Sequence, residues 1–152
     1  MFEFPVLVGD IGGTNARFGL IEAQGEQPRL LSHEATADHS DPSSAIRASL
    51  AKAGDLKLPR ATILAIAGRV DGPEIQLTNA HWRIAGQRIA EDFGLSSAVV
   101  VNDYVPVAAG AAGIEPHDLT PVGPCPPISG GARVVLGPVS YTHLTLPTKR
   151  IV

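Results

Sequence analysis

The chain has 152 residues, a single cysteine and a formal net charge of -3, from 12 Lys and Arg against 15 Asp and Glu. Hydrophobic residues make up 44%, enough to pack one domain of ordinary size and too many for a disordered chain. With no basic block the chain lacks the footprint of a nucleic-acid binder, and Cys125 alone makes neither an internal disulfide nor a cysteine zinc cluster. No run reaches the ~18 apolar residues of a membrane span. Met1 to Pro5 carries Glu3 and no basic stretch, so it does not read as a signal peptide, and a cytoplasmic, soluble domain is expected.

The opening third reads as β-structure. Phe4 to Val8 and Ala16 to Ile21 are apolar runs on either side of a glycine-rich turn, which predicts a hairpin, and a third strand is expected over Arg29 to Glu34. Strands this close together favour antiparallel neighbours, because a parallel crossover needs about a dozen residues or more. A helix follows, with Asp41 as its N-cap, Pro42 in the first helical position and Gly54 as a left-handed stop. Ala61 to Ala67 is a continuous apolar run, as expected for a strand buried on both faces. Glu74 to Ile84 reads as a smaller β excursion, and Ala85 to Phe93 as a helix with Ile89, Ala90 and Phe93 on one side and Gly94 as its stop. Ala98 to Val101 predicts another buried strand, and Val105 to Ala112 a short alanine-rich helix. The order of elements predicts an α/β fold, a mixed sheet with helices on its faces. From Pro116 to Pro127 there are five prolines, so a loop is expected before a further strand at Ala132 to Leu136.

Two segments carry candidate chemistry. Gly9-Asp10-Ile11-Gly12-Gly13-Thr14-Asn15 lies between the first two strands, where glycines let a backbone approach an anion and successive amides form a nest, with the Thr14 hydroxyl as a further donor. Asp10 would repel a bare phosphate, so it argues for magnesium between carboxylate and nucleotide. The same residues also suit a plain hairpin turn with Asp10 and Asn15 as turn formers. Asn102-Asp103 follows an apolar strand, at the strand end where open α/β sheets present ligand-binding residues. There Asp103 suits a general base and Asn102 a hydroxyl-holding amide, while helix capping by Asp103 is the plainer alternative. Thr78-Asn79 beside Trp82 is a third polar cluster that fits either a sugar face or simple packing.

Together these motifs carry a resemblance. Leu7 to Leu20 resembles the first phosphate motif of the bacterial glucokinase family. Thr78-Asn79-Ala80-His81-Trp82 is similar to that family's Thr-Asn-x-x-Trp segment, and Val100 to Tyr104 to its sugar-binding Asn-Asp motif, in the family's order. The resemblance implies a ribonuclease-H-like mixed sheet flanked by helices, the small domain of a two-domain sugar kinase, over residues 1–138. It further implies ATP phosphates held by Gly9, Asp10, Ile11, Gly12, Gly13 and Thr14, with Asp10 near Mg2+. Glucose would be held by Asn102 and Asp103 with Asn79 in support, and Asp103 would be the base in making glucose 6-phosphate and ADP, the first step of glycolysis. Another hexose, or a non-catalytic sugar-binding regulator, is the alternative. Members are often homodimers, which these residues do not specify.

The last fourteen residues depart from the family. Val139 to Val152 opens with a run that resembles an in-frame translation of a sequencing-library adapter, so residues 139–152 are expected to be a non-native tail. The family's second phosphate loop, later glutamates and Glu-x-x-His are not in the chain, which is therefore expected to be an inactive truncation.

Overall fold

The computed structural model describes residues 2–55, 57–77, 80–123 and 135. Among these, strands and helices follow in the order β1 (Val6–Ile11), β2 (Asn15–Ile21), β3 (Arg29–Ala35), α1 (Pro42–Ala51), β4 (Ala61–Ile66), β5 (Ile75–Gln76), β6 (Arg83–Ile84), α2 (Gly86–Phe93), β7 (Ser97–Asn102) and α3 (Tyr104–Ala112). One mixed sheet has the order β3-β2-β1-β4-β7, and β5 and β6 form a separate two-stranded ladder. The first three strands pair antiparallel, as their short connections require, and the crossovers through α1 and α2 return β4 and β7 parallel to β1. The expected mixed α/β sheet flanked by helices is the fold observed. Thr78, Asn79, Cys125, the tail from Val139 and, apart from Val135, the strand expected at Ala132 to Leu136 lie outside the described residues.

Strand alternation decides which side chains make the core. In β1 the residues Leu7, Gly9 and Ile11 share a face with their partners Leu20, Phe18 and Ala16 on β2 and Thr62, Leu64 and Ile66 on β4. Ala45 and Ile46 of α1, Ile89 of α2, and Trp82 and Ile84 complete this cluster. Trp82 is 1% exposed and its indole N–H donates to the His39 carbonyl at 3.0 Å, so it packs, and its ring offers no open sugar face. The α1 N-terminus is built as its sequence suggests. The Asp41 carboxylate accepts the Ser44 amide at 2.7 Å, the Ser44 side chain returns to the Asp41 amide, and Pro42 sits in the first turn. The helix closes at Ala51, ahead of left-handed Gly54, and α2 ends on left-handed Gly94.

One expectation about the sheet needs correction. β7 is not a buried strand: among the described residues it is an edge, half-exposed along its length, with Val99 37% exposed. A valine run suits an edge as well as a centre, and only the strand order tells them apart. The opposite sheet face is covered less completely. There Pro106 of α3 lies near Val8, Gly19, Leu30 and Ala65 around a cavity of about 300 Å³, and Leu30, Val105 and Val107 remain more than half exposed. An apolar surface of this kind favours association. The purified chain is expected to enhance the fluorescence of a hydrophobic dye or to self-associate in sedimentation; a dye-silent monomer with a sharp cooperative melt would count against that.

The end of β3 is tied to α1 through a buried carboxylate. Glu34 accepts from the Lys52 ammonium and lies 3.2 Å from the His39 ring. These contacts, Lys52 foremost, lower its pKa from 4.5 to about 2. The folded carboxylate therefore stays ionised to lower pH than in the unfolded chain. Its stabilisation is complete above pH 4.5 and drains away as pH falls from there toward 2. Replacing Glu34 with Gln should cost about 2 kcal/mol at neutral pH and flatten acid unfolding over that window, as read by urea denaturation at a series of pH values.

Candidate functional site

The site is assembled by register. Ile11, Ile66 and Asn102 stand level across β1, β4 and β7, so the three chains leave the sheet at the same end. Backbone bonds stitch the exits together: the Ala67 amide donates to Ile11 at 3.0 Å and the Asp103 amide to Ile66 at 3.0 Å. The β1 exit at Ile11 and the β7 exit at Asn102 are thereby held on either side of β4, two strand spacings or roughly 10 Å apart.

The predicted phosphate segment divides in two. Gly9, Asp10 and Ile11 belong to β1, a strand paired on both sides, so their backbone groups run in the ladders. Gly9 is a packing glycine: a Cβ there would come within 2.6 Å of Leu64 and 3.2 Å of the Phe18 ring. Ile11 is wholly buried. Gly12, Gly13 and Thr14 make the turn itself. No left-handed backbone is needed, since the positive-φ glycines among the described residues are Gly25, Gly54, Gly94 and Gly123. The Gly12 amide closes the turn onto the Asn15 carbonyl at 2.8 Å. Thr36, just after β3, donates its hydroxyl to the Gly13 carbonyl at 2.8 Å and its amide to the Thr14 carbonyl at 2.9 Å. The Gly13 and Thr14 amides find no acceptor among the described residues, and together with the exposed Thr14 side chain they form a small open group of donors.

Asp10 points to the sheet face opposite the core. Its carboxylate is well exposed and meets Arg17, its cross-strand partner, at 3.6 Å. An exposed pair at this distance is weak and leaves the carboxylate available to a cation.

The Asn-Asp pair has roles that local reasoning does not separate. The Asn102 side-chain amide donates to the Gly68 carbonyl at 2.8 Å, and its oxygen accepts the Tyr104 amide at 3.0 Å. Asn102 thus latches the β4 exit to the first turn of α3. Asp103 occupies the cap position but makes no side-chain cap bond, because its backbone is already helical (φ -60, ψ -22) and does not aim the carboxylate back at the helix amides. The capping expected of Asp103 is performed one residue earlier, and the half-buried Asp103 carboxylate is left uncommitted among the described residues. Asn79 lies outside those residues.

Sequence reasoning missed Thr36 and the Gly68 carbonyl. Both act through hydrogen bonds to residues distant in sequence, and the only local hint was a threonine directly following a strand.

Comparison with known proteins gives a consistent result. The family model described as Glucokinase matches residues 7–140. A curated glucokinase of Brucella abortus is 39% identical over 137 residues, which is 90% of this chain and 40% of that protein. The glucokinase of Caulobacter vibrioides is 39% identical over 136 residues, 87% of this chain and 40% of that one. The chain therefore spans about two-fifths of the length of these relatives. Among solved structures, the glucokinase of an Antarctic psychrotroph superposes with a TM-score of 0.64 at 30% identity, covering 74% of this chain and 36% of its own. A putative sugar kinase of Cytophaga hutchinsonii shares the fold, with a TM-score of 0.51 at 20% identity. With its mixed sheet, its glycine turn and its Asn-Asp strand end, the chain belongs to the glucokinase family.

Proposed function

We propose that these residues supply the phosphate-holding and base-bearing half of a glucose kinase site, in which the γ-phosphate of ATP passes to the 6-hydroxyl of glucose. The observation that carries this reading is the common level of Ile11, Ile66 and Asn102, which brings the donor turn and Asp103 to one end of the sheet, at the exits of strands roughly 10 Å apart. A base-to-hydroxyl hydrogen bond, an attack distance and a phosphate-to-amide hydrogen bond, each about 3 Å, have to fit between the carboxylate and the turn.

In this reading Asp103 accepts the proton of the sugar hydroxyl as that oxygen bonds to the γ-phosphorus. The bond from phosphorus to the bridging oxygen breaks, and ADP leaves with the electron pair. Gly13 and Thr14 direct their amides, and Thr14 its hydroxyl, at the phosphates, on a turn that the Gly12 amide closes. Asn102, committed to the backbone, holds Asp103 in place and has one N–H left for a sugar oxygen. Asp10, exposed and loosely paired, fits a magnesium ion that travels with the phosphates; bound there, the ion neutralises phosphate charge. Little else is asked of the protein, since phosphoryl transfer depends mainly on alignment and charge neutralisation. Such a kinase works where ATP is made, in the cytoplasm.

Residues 1–138 form the native part in this proposal and 139–152 the adapter-derived tail; the family match runs out at residue 140. Glucose as the hexose rests on the relatives' activity. In the full-length gene product, Asp103→Asn should lower kcat by about 10²- to 10⁴-fold with a much smaller change in the KM for glucose, measured by coupled ADP release. Normal turnover by that variant would end the proposal. The 152-residue chain alone should release no glucose-dependent ADP above an Asp103→Ala control.

A further inference from the structure

We infer that Thr36 is a positioning residue for the phosphate turn, holding two carbonyls inward so that the Thr14 amide opens toward a polyphosphate. This rests on the phosphate role proposed above for Gly12 to Thr14. Thr36 belongs to none of the motifs and is 2% exposed, so it acts through the turn and does not itself touch a ligand.

In a trans peptide the C=O and the following N–H point in opposite directions. The Thr36 hydroxyl binds the Gly13 carbonyl at 2.8 Å, so the N–H of the same peptide plane, that of Thr14, is turned away from Thr36. The Thr36 amide fixes the next carbonyl, that of Thr14, at 2.9 Å. The Gly12 amide is turned inward to Asn15. The carbonyls of Gly13 and Thr14 are therefore both held by one buried residue, and the Gly13 and Thr14 amides have no acceptor among the described residues. Burial shields these bonds from competing water. Without the hydroxyl the Gly13 carbonyl loses its partner, and glycine, free of a Cβ, allows the Gly13–Thr14 peptide to rotate and carry the Thr14 amide out of line.

The experiment titrates the 152-residue chain with magnesium tripolyphosphate and follows backbone amide shifts by NMR in the parent, Thr36→Ser and Thr36→Val. The parent and Thr36→Ser should show saturable shifts at Gly13 and Thr14 with similar affinity. Thr36→Val, isosteric but without the hydroxyl, should bind at least tenfold more weakly while the amides of Ile46 and Leu64 keep their positions. Equal affinity in Thr36→Val, or a loss as large in Thr36→Ser, overturns the inference and leaves the phosphate turn standing. If the parent itself shows no loop shifts, the phosphate reading fails and this inference goes with it. Should Thr36→Val not fold, hydrogen exchange of the parent decides: tripolyphosphate should slow the Thr36 and Thr14 amides together, and protection of Thr14 alone would refute the clamp.

Discussion

The parallel ladder of β1, β4 and β7 is the constraint on which the molecule depends. Its register is pinned by side chains that alternate between a well-packed face and a thinly covered one. A slip of one residue would turn Leu64 and Ile66 away from the core and exchange the two faces. The same slip would unstitch Ala67 from Ile11 and Asp103 from Ile66. Packing far from the site thus sets the separation between the glycine turn and the aspartate. The core stabilises a distance as well as a fold.

Within that frame, the useful distinction is between polar groups that already have partners and those that do not. Asn102 resembles a ligand-binding amide, yet its oxygen and one of its two N–H groups are occupied by the backbone, at Tyr104 and Gly68. Asp103, beside it, resembles a helix cap and caps nothing. Gly9 resembles part of a phosphate loop and is glycine because Leu64 and Phe18 leave no room for a methyl group. Asn102 and Thr36, whose polar groups are paired, brace unpaired neighbours: Asp103 in one case, the Gly13 and Thr14 amides in the other. Preorganisation of this kind lets a few donors and one carboxylate act without reorganising as charge moves.

Much of this was legible locally. The Asp41-Pro42 start of α1, the glycine stop of α2, the opening hairpin and the strand at Ala61 all follow from short-range chemistry, and the structure reproduces them within a few residues. What could not be read depends on pairing. The clamp by Thr36 needs β3 to lie against β2 with a register shift at Phe18 and Gly19, which no sequence pattern announces. The edge position of β7 follows from strand order, and the Val-rich run is compatible with either place. The exchange of capping duty between Asp103 and Asn102 turns on the backbone angles at one residue. Local chemistry identifies which residues matter, and long-range register decides what each of them does.

The described residues also have an asymmetry that bears on function. The core-side face of the sheet is sealed by α1, α2 and the β5–β6 ladder, whereas the other face has apolar residues in the open. At the strand ends the donor turn and Asp103 are likewise half-exposed or exposed. Phosphoryl transfer to a sugar rather than to water requires that water be kept from the nucleotide, and electrostatic contacts gain strength only in a dry site. Among the described residues no element covers the glycine turn or the Asp103 carboxylate. The relatives, about two and a half times as long as the matched segment, have the additional chain from which such a cover can be made. The exposure of both site and sheet face supports the proposed reading, in which these residues align the reactants and the longer protein completes the reaction.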